Sequence, residues 1–257
     1  MAADLFAIDR ILGFLLILAR VAGIFTFVPL PGTAASPATA RIVLSFATAT
    51  CLYPIWPQVA GLDRSIVRLG GFVASEAAIG MVIGLSAAFA IETLKMSAQI
   101  AGLQAGFGYA STIDPSSEAD SSLLQVVAEL TGGLVFFAAG FDRQVLAILA
   151  GSIQTIPPGQ VVYLHSAPGL IIRLGGEMFS RGLRMALPII AFLLLLDLTL
   201  AFLGRVNAQL QLLTLAFPVK IVAALGLLTL LTPIYVRLST AFFQHSLESA
   251  AGVLLRR

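Results

Sequence analysis

The chain has 257 residues, 58% of them hydrophobic and only 11% charged, with 15 Lys and Arg against 13 Asp and Glu and a net charge of +2. A soluble domain carries about 25% charged residues. So few polar side chains could not cover a core of this size, which excludes a soluble enzyme, a disordered tail and a disulfide scaffold and points to a polytopic membrane protein. The single cysteine, Cys51, leaves no internal disulfide and no multi-cysteine metal site, and no basic cluster is dense enough for nucleic acid.

The first apolar block runs from about Ile11 to Leu30. Asp4, Asp9 and Arg10 flank it, so it lacks the positive flank of a cleaved leader and reads as a retained helix, ended by Pro29, Pro31, Gly32 and Pro37. A second block, about Arg41 to Ala60, is broken by Pro54 and Pro57, with Tyr53 and Trp56 beside them as interfacial aromatics. A third, about Leu69 to Leu94, carries Glu76 and Glu92. Its Gly80 and Gly84 form a small-xxx-small pair, which predicts a close helix crossing. Residues 96–110 hold too much Gly and Gln for a lipid-facing span and predict irregular backbone inside protein or along a water path. Ser111 to Ser122 is the most polar stretch, with Asp114, Pro115, Glu118 and Asp120 and no basic residue. Residues 106–122 therefore read as a loop, with a helix beginning near Ser121 or Ser122.

A fourth block, about Leu123 to Ala139, carries Glu129; helix resumes after Asp142 and Arg143 and runs through Ile153, and Pro157-Pro158-Gly159 stops it. Residues 170–185 form a basic amphipathic stretch with Arg173, Glu177, Arg181 and Arg184. It leads into Leu187–Leu203, the most apolar run, whose one acid is Asp197. Arg205 to Gln211 is a short polar break, Ala216 to Tyr235 the last block, with Lys220 inside it, and Arg237 to Arg257 an amphipathic tail. The pattern is all-α. Several segments are short or charged for spans of ~20 residues, and basic residues on both sets of loops fix no orientation.

Catalytic and cofactor motifs are missing: there is no HExxH, GxSxG or P-loop. Gly84-Leu85-Ser86-Ala87-Ala88 comes nearest to a serine elbow but sits in a helical block and reads as packing, and His165 and His245 have no ligand-spaced neighbours. The sharper signal is charge. Arg20, Glu76, Glu92, Glu129, Asp197 and Lys220 lie in or at the edge of apolar blocks. An unpaired charge at bilayer depth costs about 2.5–3.5 kcal/mol on insertion scales. These residues therefore predict ion pairs between helices or subunits, a water-filled ion path, or segments that never meet lipid. The 96–122 segment divides similarly, between an ordinary polar loop and a re-entrant loop that lines or closes a pore.

Taken together these residues resemble the FliR family of flagellar export-gate proteins, which has counterparts in virulence type III secretion. The run Ala101-Gly102-Leu103-Gln104-Ala105-Gly106 followed by Asp114-Pro115 looks like its signature. Arg20, Gly23, Pro29, Pro37 and Arg41 match an N-terminal pattern, and Glu76, Gly80 and Gly84 a third-segment pattern. Ser152, Ile156, Pro157 and Gly159 match a further one with Ile153 in place of Phe, and Arg205, Gln209 and Phe217-Pro218-Val219-Lys220 match the C-terminal pattern. Ala208 departs from the family's Pro, Gln211 from its frequent Asn and Asp142 from a common His.

The resemblance spans residues 1–257 as a single export-gate domain of helical hairpins, like a fusion of FliP and FliQ. It implies assembly with FliP-like and FliQ-like subunits in the bacterial cytoplasmic membrane and flagellar basal body, with an FlhB-like protein around the base, an FlhA-like protein beneath it and unfolded flagellar proteins as cargo. In that picture 106–122 is the plug of the closed gate: Gly102, Gly106 and Gly108 permit bending and close packing, Phe107 and Tyr109 give apolar closure, and Asp114-Pro115 makes the turn. Arg20, Glu76, Glu92, Glu129, Asp197, Arg205 and Lys220 become inter-subunit or intramembrane charges, and no cofactor, metal or nucleic acid is implied. Outside the family, a secondary transporter using Glu92 and Glu129 stays open, as does an intramembrane enzyme, although no nucleophile–base pair is visible. Within it, the injectisome counterpart stays open.

Overall fold

The computed structural model describes residues 8–28, 38–52, 65–107, 123–160, 165–206 and 212–255. Seven helices account for most of these residues: α1 (Ile8–Phe27), α2 (Ala38–Cys51), α3 (Ile66–Ala105), α4 (Leu123–Ala138), α5 (Phe141–Thr155), α6 (Ser166–Val206) and α7 (Leu212–Leu254). Among the described residues there is no strand. Four of the helices, α1, α3, α6 and α7, are long and apolar enough to cross a membrane. The pair α4 and α5, bent by 64° at Ala139 and Gly140, passes the same test jointly.

The helices run further than the sequence blocks suggested. The irregular backbone expected from residue 96 is instead helix through Ala105. Ala and Gln favour helix, and Ala98, Ala101, Gly102 and Ala105 are buried, so close packing offsets the glycine penalty. The basic stretch 170–185 and the apolar run after it form one helix of 41 residues, and the last block and its tail form one of 43.

The described parts of Met1–Phe89, Phe136–Gly175 and Phe242–Arg257 form one compact unit. In α1, Leu16, Ile17, Arg20, Val21 and Ile24 recur at helical spacing and are all buried. They pack on α3 at a close backbone crossing. A Cβ on Gly80 would lie 1.9 Å from the Arg20 carbonyl oxygen, and one on Gly84 2.6 Å from that of Ile24. The small-xxx-small pair is thus the seam where two helix backbones touch. Between α1 and α2, Phe14 meets Phe46 edge-to-face at 5.4 Å, and Arg41 Nη1 donates to the Thr26 carbonyl at 2.9 Å. Phe136, Phe141 and Phe243 cluster with centroids 5.1–6.4 Å apart beside the α4–α5 bend. The Thr155 hydroxyl donates to the Leu254 carbonyl at 3.1 Å, tying the end of α5 to the end of α7.

Ala90–Val135 and Gly176–Ala241 supply the second unit. Leu94, Ala98, Leu124, Ala128 and Met185 form one buried cluster, and Ala101, Ala105, Ile189, Leu193 and Ala224 another. Phe107, Leu228 and Tyr235 pack against both. Pro188 interrupts the hydrogen-bond ladder of α6, and within the preceding turn the Met185 carbonyl accepts the Tyr235 hydroxyl at 2.6 Å.

The glycine seam is testable by contrast. Gly80→Ala forces α1 and α3 apart, whereas Gly70→Ala, where an added Cβ meets nothing within 4 Å, removes only an exposed helix glycine. Thermal unfolding in detergent should show Gly80→Ala clearly destabilised and Gly70→Ala unchanged or stabilised by up to about 1 kcal/mol. Equal midpoints for the two variants would contradict the crossing.

Candidate functional site

The first unit buries its charges in a single network. Arg20 and Glu76 have side chains 0% and 1% exposed and pair at 2.6 Å, with both Nε and Nη2 of the guanidinium on Glu76 Oε2. Arg20 Nη1 donates to Ser152 Oγ at 3.1 Å and Nη2 to the Ile156 carbonyl at 3.0 Å. The Ser152 hydroxyl itself donates to the Leu149 carbonyl at 2.7 Å. The second oxygen of Glu76 accepts the Gly159 backbone N–H at 3.2 Å. Two buried opposite charges are stable only when paired and further hydrogen-bonded, and the turn 156–159 supplies those extra bonds. Arg20, Glu76, Ser152, Ile156 and Gly159 are dispersed in the sequence, yet they form one locked junction of α1, α3 and the end of α5.

The second unit pairs its charges closer to the surface. Lys95 Nζ lies 2.8 Å from Glu92 Oε1 on its own helix and 3.7 Å from Glu129 Oε2 on α4. Lys220 Nζ meets Asp197 Oδ1 at 2.7 Å between α7 and α6. The six charges picked from the apolar blocks thus all find partners within the chain. Lys95 was absent from that set, although its i+3 spacing from Glu92 was a readable signal. Arg205 is exposed in the last turn of α6.

Of the residues expected in the loop, Gly102 ends inside α3, and Gly106 and Phe107 form its C-terminal turn; Gly108, Tyr109, Asp114 and Pro115 lie outside the described residues. Gly106 has φ +89°, its N–H donates to Leu103 O at 3.2 Å, and Phe107 N–H donates to Gly102 O at 3.0 Å. These two bonds make a Schellman cap, which requires a left-handed residue at Gly106. Gly106 also lies under Phe217 of α7, where an added Cβ would come 2.8 Å from Cδ1. Ser86, in the nearest approach to a serine elbow, is buried mid-helix and donates to the Val82 carbonyl. Among the described residues no group of three His, Cys, Asp or Glu could hold a metal ion.

A polytopic helical membrane protein whose charges on apolar helices pair with one another is the class that this fold and network define. Residues 11–246 match the family model described as bacterial export proteins, family 1. The chain belongs to this family, the FliR-type membrane proteins of the flagellar export apparatus. A flagellar biosynthetic protein FliR of Caulobacter vibrioides is 26% identical over 198 residues, 77% of this chain and 79% of that protein. One of Bacillus subtilis is 27% identical over 79% of each chain. One of Pectobacterium carotovorum is 31% identical over 134 residues, 52% of this chain and 51% of that protein.

Three substitutions probe the buried pair and the helix cap. Arg20→Met or Glu76→Leu alone strands a buried charge and should destabilise the protein by about 3–5 kcal/mol, read as loss of folded protein after detergent extraction. The double variant should lose less than the sum of the two, and strict additivity would argue against the pair. Gly106→Ala places a side chain in the left-handed region at a cost of about 1–2 kcal/mol and against Phe217. A measurable fall in the unfolding midpoint is expected, and wild-type stability would contradict the cap.

Proposed function

We propose that this chain is a core subunit of the flagellar export gate, forming with FliP-like and FliQ-like subunits the channel through which unfolded flagellar proteins cross the cytoplasmic membrane, with FlhB-like and FlhA-like proteins at its base. The role is structural and gating rather than enzymatic. The observation that carries the reading is the match of residues 11–246 to the export family. A second feature supports it. The spans in α6 and α7 are strongly apolar, yet only 17% and 6% of their most apolar windows are buried within the chain. Surfaces of this kind are suited to cover by neighbouring helices and lipid.

In this reading residues 106–122 close the resting channel. Phe107 and Leu124 share one apolar cluster, so the segment is rooted at both ends in the same core. That anchoring suits a plug which swings aside without being lost. The charged pairs hold the surrounding helices in place while cargo passes.

The test is complementation of a strain lacking this gene. The wild-type chain should restore export of filament subunits to the medium. A chain lacking residues 110–119 should assemble and raise the ion permeability of the membrane, read with a potential-sensitive dye. Unchanged permeability together with unchanged export in the deletion would refute the plug. Failure of the wild-type chain to support export of any flagellar protein would refute the function.

A further inference from the structure

Two proline breaks in the second unit share one side chain. Pro188 lies inside α6 and Pro233 inside α7. A proline has no N–H to donate, and its ring crowds the carbonyl four residues before it. Each helix is therefore weakened locally, α6 at the Arg184 carbonyl and α7 at the Thr229 carbonyl. Tyr235 stands two residues after Pro233, and its hydroxyl donates at 2.6 Å to the carbonyl of Met185, three residues before Pro188. One hydrogen bond thus joins the two helices at the level where the ladder of each is interrupted.

The same tyrosine helps to seat Phe107. On α7, Ala224, Leu227, Leu228, Leu231 and Tyr235 recur at helical spacing along one face. On α6, Met185 lies before Pro188, and Ile189 and Leu193 lie after it, in two different buried clusters. Phe107 and Tyr235 pack against both clusters. Phe107 is the last described residue before the 108–122 segment, and its N–H donates to the Gly102 carbonyl in the cap of α3. A change of angle at Pro188 moves one cluster against the other, and with them the seat of Phe107.

We infer that Tyr235 is a positioning residue of the channel: its hydroxyl latches the proline breaks of α6 and α7 in the one arrangement in which both clusters hold Phe107. The inference rests on the channel reading above and adds the residue and the hinge that set the root of 106–122 in the resting state. With the bond made, α6 keeps one course across Pro188. With the bond open, the two halves of α6 change their angle, and Phe107 loosens with them. A neutral hydrogen bond at a hinge shifts a two-state population by about two- to tenfold. That is the scale of a reversible latch rather than of a permanent clamp.

The experiment uses the full chain co-expressed with its neighbouring membrane genes in a strain that lacks it. Tyr235→Phe removes the hydroxyl and keeps the ring. The complex should still form, hydrogen exchange of the amides flanking Pro188 should quicken by about two- to tenfold, and the ion permeability of the membrane should rise. Pro188→Ala supplies the missing N–H, so adding it to Tyr235→Phe should return both readings to the wild-type level. Thr199→Val, which removes a hydroxyl bonded to the Leu195 carbonyl on the exposed side of α6, should change neither. Wild-type exchange or wild-type permeability in Tyr235→Phe would overturn the inference. So would failure of Pro188→Ala to restore them, loss of the complex in both variants, or an equal effect of Thr199→Val. The chain lacking residues 110–119 separates this from the wider reading. If that deletion leaks while Tyr235→Phe does not, the latch falls and the function stands; if the deletion does not leak, the closing role of 106–122 falls and the latch with it.

Discussion

The first unit is organised around a guanidinium and a carboxylate kept wholly out of water. Neither Arg20 nor Glu76 could be buried alone, since several kcal/mol of hydration would be lost by each. Their presence fixes much else. The pair demands that α1 and α3 approach until their side chains meet, and Gly80 and Gly84 are the residues that permit it. It also leaves lone pairs and N–H groups to be satisfied: α5 supplies the Ser152 hydroxyl, and the turn after it the Ile156 carbonyl and the Gly159 N–H. The turn is thereby tied to two helices that lie far from it in the sequence.

Such a junction contributes specificity more than net stability. A well-packed apolar core could be as stable, but apolar helices in an apolar environment slide and rotate at little cost. A buried ion pair with five directional bonds allows one register of α1 against α3. The second unit uses its charges differently: Lys95 with Glu92 and Glu129, and Lys220 with Asp197, lie nearer the surface.

Much of this was legible in the sequence. Low charge and long apolar blocks established an all-helical membrane chain, the glycine pair announced a close crossing, and Pro157-Pro158-Gly159 marked the end of α5. The charges at the edges of apolar blocks stood out as needing partners, but their pairing did not. Arg20 and Glu76 are 56 positions apart, and nothing local links them. The partners Ser152, Ile156 and Gly159 act through a hydroxyl, a carbonyl and an N–H, groups that carry little or no side-chain signature. The helical course of residues 96–105 was misread because glycine content was weighed without its context: the same small residues that loosen an isolated helix let a buried one pack tightly.

The uncovered apolar faces of α6 and α7 suit a place in a multi-subunit channel. Native mass spectrometry in mild detergent, after co-expression with the neighbouring membrane genes, tests this most directly. The predicted result is a complex holding one copy of this chain with several copies of other small helical membrane subunits. A monomer or a homodimer, found while those subunits are expressed in the same membrane, would contradict it.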